Sequence, residues 1–362
     1  FLLKQYSRSL REENISIQRD RIVETAIDKV LKLPGHQLQQ HLKIQFENET
    51  AQDSGGVSRE FYFIIFNEFF FSENYNLFTL SEDESFYWFT SESARQNPDT
   101  IYYQYVGTIV GLALSNSINL PVRFPMVLYK KLYDVALTFR DFEELCPAQA
   151  HSIQSLKKQV NSNVRLEDLE MYFSVTDPVT HKEVPIVPNG DQKQVTESNL
   201  DEYINALVDY HLNTSIRKEF EAFKTGFNLS RPKILTSFRF YDLDVLISGT
   251  QVLNWAALKT NTTYANGYDE RSPSVVMFWK IFNEMDDQKK ELLLKFITGC
   301  SRAPAGGLEV LNIVIQKNGD VSKLPTSHTC VYTLDLPDYQ NEEKMRKSLD
   351  ICANNAEGFG LI

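Results

Sequence analysis

The chain has 362 residues, 42% of them hydrophobic, enough to bury a substantial core in two domains or in one large domain with subdomains. Its 37 Lys and Arg against 48 Asp and Glu give a net charge of -11 with no evident basic patch, which argues against a nucleic-acid partner. No apolar run approaches the ~20 residues that cross a bilayer, and Phe1-Leu2-Leu3-Lys4 lacks the apolar core of a signal peptide, so a cytosolic or nuclear protein is expected.

The four cysteines, Cys146, Cys300, Cys330 and Cys352, form no Cys-x-x-Cys pair and stand beside no cluster of histidines. Neither a zinc site nor a disulfide framework is signalled; no metal or cofactor is expected, and a reducing compartment fits. The first residue is Phe, so the chain reads as a piece of a longer protein whose preceding part carries targeting and substrate recognition.

From Phe1 to Leu33 the pattern predicts an amphipathic helix, with Ile22, Ala26, Ile27 and Val30 near 3.6-residue spacing and Pro34-Gly35 as its stop. Leu42 to Phe46 alternates as a strand. Asp53-Ser54-Gly55-Gly56 predicts a turn into an aromatic-rich helix from Val57 to about Phe71; the glycines lack the rest of a phosphate-binding fingerprint, so a structural turn is the better reading. Tyr102 to Leu114 reads as a buried helix in which Gly107 and Gly111 admit close approach of another element.

Phe139 to Leu212 is more polar and predicts helices with a hairpin around Val184 to Val195, turned at Asn189-Gly190. In the helix Asn199 to Leu212, capped by Thr196 or Ser198, one stripe is Ile204, Val208 and Leu212 and a second is Tyr203, Leu207 and Tyr210. Two stripes leave two readings open: a helix sandwiched between core layers, or one with a binding face. The preceding helix carries Ile153, Leu156 and Val160 at helical spacing. Ser248-Gly249-Thr250-Gln251, followed by the polar run Lys259 to Tyr268, is the candidate boundary between two lobes. Beyond it, Ser274 to Met285 and Gln288 to Ile297 predict helices. Leu308 to Ile315 predicts a strand turned at Asn318-Gly319, and Val331 to Leu336 a second strand before a last helix, Asn341 to Ala356.

Cys330 stands in an apparent turn, Leu324-Pro325-Thr326-Ser327-His328-Thr329-Cys330-Val331-Tyr332, with a His two positions before it. Local context leaves it either a nucleophile or a small apolar filler. The ordered motifs decide: Leu324-Pro325, His328-Thr329-Cys330, Leu334-Asp335-Leu336-Pro337, the final helix, and Gly358-Phe359-Gly360 near the end. Upstream stand Thr298-Gly299, Ser301-Arg302-Ala303-Pro304, Phe278-Trp279, the run from Gly107 to Ala113, and Asp53 to Phe61. Together they resemble the HECT ubiquitin ligases over nearly the whole chain. Leu-Pro-Thr-Ser-His-Thr-Cys and Phe124-Pro125-Met126-Val127 look most like the E6-associated-protein branch.

The resemblance implies an α+β, bilobal fold: a large, mostly helical N-lobe over 1–249, with the conjugating-enzyme-binding subdomain at approximately 140–228, then a hinge and small α/β catalytic C-lobe over 250–362. It implies that Cys330 accepts ubiquitin as a thioester from a conjugating enzyme and passes it to a substrate lysine, so the expected partners are ubiquitin, that enzyme and a protein substrate. His328, Thr329, Arg302 and the tail residue Phe359 are the implied helpers. The implied enzyme-binding positions are Ser152, Ile153, Leu156, Asp168, Leu169, Tyr203 and Leu207, and the implied hinge is Gly249, Thr250 and Gln251. Asp335, Asp338, Asp350 and Glu357 are the carboxylates available to receive the lysine proton.

Three departures from the family pattern stand out. Gln149 and Ala150 replace larger apolar residues, Tyr332 replaces an amide two residues after the cysteine, and Ile362 stands where some relatives end in an acid. A cysteine hydrolase using His36, His41, His181 or His211, and a binding scaffold without catalysis, are the rival readings.

Overall fold

In the computed structural model, which describes residues 10–49, 56–72, 74–81, 83–90, 99–160, 165–177, 181–318 and 320–354, the first element is a strand. β1 (Glu12–Ile17) buries Ile15 and Ile17 in alternation, and within the described part of the helix expected over 1–33 α1 (Ile22–Leu31) is the α-helix; residues 1–9 lie outside the described residues. A period of two wins over a period of 3.6 there because β2 (His41–Phe46) supplies a partner: the strands pair in parallel, Ile15 opposite Ile44 and Ile17 opposite Phe46, with α1 making the crossover.

The predicted aromatic helix is α2 (Gly56–Phe66), continued by a π-helical turn over Asn67–Phe71; the turn expected at 53–55 lies outside the described residues. Its Phe61, Tyr62, Ile65 and Phe66 join the hairpin β3 (Phe78–Leu80) and β4 (Tyr87–Phe89) and the helix α3 (Ile101–Ser115), buried throughout from Tyr105 to Ser115, in a first hydrophobic core.

α4 (Met126–Leu132) connects this core to a second, self-contained one, giving Leu128, Tyr129 and Leu132 to the first and Val127 to its neighbour. The neighbour is built from α5 (Phe139–Leu145), α6 (Pro147–Val160), the 3-10 turn Leu166–Leu169, β5 (Ser174–Thr176), β6 (Glu183–Pro185) and α7 (Leu200–Leu212). The hairpin is displaced from its expected place: β5 pairs with β6, so the turn lies between 176 and 183. Asn189, at φ 55°, does turn the chain, but into the 3-10 helix Gly190–Gln192. Asx-Gly marks a left-handed turn without specifying what it joins.

The chain then returns to the first core through α8 (Arg217–Ser230) and α9 (Phe240–Ser248). Against α3, a methyl group at Gly107 would overlap the Phe223 carbonyl oxygen and one at Gly226 the Gln104 carbonyl oxygen, so the two backbones touch as the glycine spacing predicts.

The last core holds α10 (Trp255–Asn261), β7 (Thr263–Ala265), α11 (Pro273–Glu284), α12 (Asp287–Thr298), β8 (Val314–Asn318), β9 (Thr326–His328), β10 (Thr333–Pro337) and α13 (Glu342–Asn354). The sheet order is β7-β8-β10-β9, with β9 antiparallel to β10 and the other pairs parallel. The strand expected from Leu308 begins only at Val314, because Leu308–Val310 forms a 3-10 turn whose Leu308 fills the core. The whole is an α+β chain, mostly helical with small sheets. Among the described residues no helix is long and apolar enough to cross a membrane.

Candidate active site

β9 and β10 run antiparallel with His328 opposite Thr333 and Thr326 opposite Asp335, and the chain reverses between them in one 3-10 turn, Thr329–Val331. Cys330 is the middle residue of that turn; its side chain, like Phe359 and Glu357, lies outside the described part of the structure. Tyr332 closes the turn at φ 54°, its N–H donating to the Thr329 carbonyl at 3.3 Å and its own carbonyl accepting from Val314 at 2.9 Å. A left-handed aromatic residue is strained, and these two bonds hold it.

His328 does not stand alone: its Nε2 is 3.0 Å from Asp335 Oδ2. Asp335 also accepts from Gln316 Nε2 at 2.5 Å and Thr326 Oγ1 at 3.3 Å, so a hydrogen-bonded group crosses the sheet from β8 to β9. The two other described carboxylates are held by cations. Asp338 accepts from Lys317 at 2.7 Å and Ser274 at 2.6 Å, which keep it below the usual carboxylate range, and Asp350 accepts from Lys289 at 2.9 Å.

The turn leans on the first core. A cleft of about 50 Å³ separates Arg59, Tyr62 and Phe63 of α2 from Gly299, Thr329 and Tyr332. It is far smaller than the ~300 Å³ of an ordinary small-ligand pocket, so its role is that of a seam between cores. At this seam Gly299 adopts φ 78° at the end of α12, and a side chain there would begin 3.3 Å from the Phe63 ring and 3.7 Å from Thr329 Cβ. Arg59 places its guanidinium carbon 4.8 Å from the Tyr332 ring centroid.

Arg302 also lines the cleft; its Nη1 is 4.0 Å from Asp244 on α9, and that carboxylate lies 3.5 Å from Arg123. Arg302 Nε and Nη1 make no hydrogen bond within the described residues. Arg302 is thus near the turn, as expected, while pointing its charge toward the first core.

Two other thiols are disfavoured as thiolates. Burial pushes Cys300 up, and pushes Cys352, whose Sγ donates to the Pro325 carbonyl at 3.5 Å, up to about 12. Among the described residues no histidine lines the cleft beside the turn. His211 sits instead against Phe142, its pKa lowered to about 4 by burial.

Of the expected enzyme-binding residues, Ile153, Leu156, Tyr203 and Leu207 share one hydrophobic cluster, while Ser152, Asp168 and Leu169 are exposed around it. The second stripe of α7 is not a free face. Tyr203 is 7% and Leu207 5% exposed, and Tyr203 packs edge-on against Phe173 at 5.3 Å. The sandwiched reading holds for them, because they share one cluster with Phe173, Ile186 and Val195. The apolar surface that does reach solvent is Leu169, 42% exposed, with Tyr172, 40% exposed, which the sequence reading missed. Thr196, not Ser198, caps the segment leading into α7, its N–H donating to Asn199 Oδ1 at 2.8 Å.

At the expected hinge, Gly249 ends α9 at φ 79°, and Thr250 and Ala303 exchange backbone bonds of 2.7 and 3.0 Å. Gln251 is exposed. The linker is therefore tied at one point and open beyond it.

Cys330 thus stands in a strand-to-strand turn whose Thr329 and Tyr332 line the seam of two cores, and comparison with known proteins gives the class. The family model described as HECT-domain (ubiquitin-transferase) matches residues 63–362, and the chain belongs to that family. It is 33% identical over 350 residues to "Probable E3 ubiquitin-protein ligase HERC4" of Homo sapiens, covering 96% of this chain and 33% of that protein. It is 32% identical over 368 residues to "Probable E3 ubiquitin-protein ligase HECTD2" of Homo sapiens, covering 96% and 46%. For "E3 ubiquitin-protein ligase pub3" of Schizosaccharomyces pombe the identity is 29% over 358 residues, covering 96% and 45%. The chain thus spans a third to under half the length of these relatives. They give no support to the E6-associated-protein branch in particular.

Proposed function

We propose that this chain is the catalytic portion of an E3 ubiquitin-protein ligase, with Cys330 carrying ubiquitin as a thioester. The observation that carries the reading is the position of that cysteine, in a tight turn between two strands within the HECT-matched region. In the first step the Cys330 thiolate adds to the thioester carbonyl of ubiquitin on a conjugating enzyme. The carbon–sulfur bond to that enzyme breaks, and its sulfur leaves as a thiolate that takes up a proton. In the second step a substrate lysine amine adds to the Cys330 thioester and loses a proton; the isopeptide bond forms and the Cys330 thiolate is restored. Exchange between like thiols is nearly isoenergetic, so approach and orientation are the main requirements.

Thr329 is assigned to shaping the turn and offering its hydroxyl or N–H to the developing oxyanion. Arg302 is assigned to orienting the ubiquitin tail or the lobe contact, and Phe359 to a tail contact between lobes. His328 and Asp335 act as one hydrogen-bonded unit, and Asp335 is the preferred acceptor of the lysine proton because its strand runs directly out of the turn. The conjugating enzyme docks on the subdomain, with Ser152, Asp168 and Leu169 outermost over Ile153, Leu156, Tyr203 and Leu207. Division into lobes 1–249 and 250–362, turning at Gly249, Thr250 and Gln251, is supported by the separate cores on either side.

A single-turnover assay with labelled ubiquitin on a conjugating enzyme, resolved on non-reducing gels, tests the reading. The expected result is a reductant-sensitive adduct that Cys330→Ala loses. No adduct with a panel of conjugating enzymes would replace the ligase with a binding scaffold.

A further inference from the structure

We infer that Arg59 and Tyr332 are a positioning pair, seating the cysteine turn on α2 for the second acyl transfer; the inference rests on the ligase reading above. Tyr332 is two residues from Cys330 and is held at φ 54°, a conformation that disfavours an aromatic side chain. Strain kept at such a place requires a compensating contact. The Tyr332 ring lies 4.8 Å beneath the Arg59 guanidinium, within the range of cation–π attraction, and both side chains are half-buried, where that attraction exceeds its value in open water.

The contact also spans two bodies. Arg59 belongs to α2, whose neighbours Phe61 and Tyr62 are buried in the first core, whereas Tyr332 packs against the core of the catalytic sheet. In the same cleft, Phe63 lies against Gly299, which neighbours Thr329 of the turn. None of the proposed enzyme-docking residues lines this cleft. A turn seated here is therefore away from the docking surface and poised for the step that follows loading. The stack uses the ring face, which Tyr332→Phe preserves.

Loading and discharge are measured separately: pulse formation of the Cys330 thioester, then a chase with free lysine or a protein acceptor. Arg59→Ala is expected to load like the parent and to discharge about three- to tenfold more slowly, the factor a cation–π contact of this class supplies. Tyr332→Phe keeps parent discharge, and Arg59→Lys recovers part of it. Tyr332→Gly relieves the backbone strain and removes the ring, so slow discharge from that variant with an unchanged melting temperature is not a folding defect. The double variant Arg59→Ala with Tyr332→Gly should be no slower than either alone. Equal losses in loading and discharge, a Tyr332→Phe variant as slow as Tyr332→Gly, unchanged discharge in Arg59→Ala, or additive losses would each overturn the pair. A parent chain that never forms the thioester overturns the ligase reading, and the pair with it.

Discussion

The α3–α8 crossing and the seam beside Cys330 are both contacts between elements far apart in sequence, yet they are made of different materials. At the crossing, Gly107 and Gly226 let backbone meet backbone, and nothing larger fits. At the seam, the contacts are an arginine over a ring, a loose Arg302–Asp244 pair and one backbone bridge at Thr250 and Ala303. The first kind of contact has a single well-packed arrangement; the second joins side chains across a small cleft.

The crossing should break hardest. Gly226→Val forces side-chain atoms into the Gln104 carbonyl, and a loss of about 3 kcal/mol or more is expected in chemical denaturation, an overpacking cost at the upper end of its range.

Next is acid sensitivity in the packed subdomain. His211 is neutral when folded, its pKa lowered from 6.5 to about 4 by burial. Between those values the unfolded chain binds the proton and the folded chain does not. Stability therefore falls as pH drops from 6.5 towards 4, by up to about 3 kcal/mol, and His211→Phe should remove that dependence in pH-resolved melts.

Gly249→Ala sharpens the comparison at the join itself. At φ 79° with the Ala303 carbonyl against its α-carbon, an added methyl should cost about 2 kcal/mol and loosen the Thr250 bridge, seen as faster amide exchange at Thr250 and Ala303. Smallest is Asp244→Asn at this buried position, which takes the carboxylate charge from Arg302 while leaving an amide oxygen in its place, so a loss of about 1–2 kcal/mol is expected. If it destabilised as strongly as Gly226→Val, the seam would have to be counted as core.

The motifs around Cys330, the buried α3 and the helices α11 and α12 were legible because each is a local pattern: turn residues, apolar spacing, caps. The N-terminal strand was not, since Ile15 and Ile17 become a strand only when β2 lies beside them. Nor was the covering of Tyr203 and Leu207, because periodicity counts apolar faces without saying which neighbour arrives to bury them. Arg59 stood in a recognised motif, yet nothing local tied it to Tyr332.

By itself, then, the sequence determined the main helices, the close approach at Gly107 and the motif that marks the cysteine turn, all of which depend on neighbours along the chain. Only the tertiary structure decided that Tyr203 and Leu207 of α7 are buried, that His328 is partnered by Asp335, and that the turn rests on α2. Those outcomes are contacts between separately encoded surfaces, and their energies exist only once the cores have met.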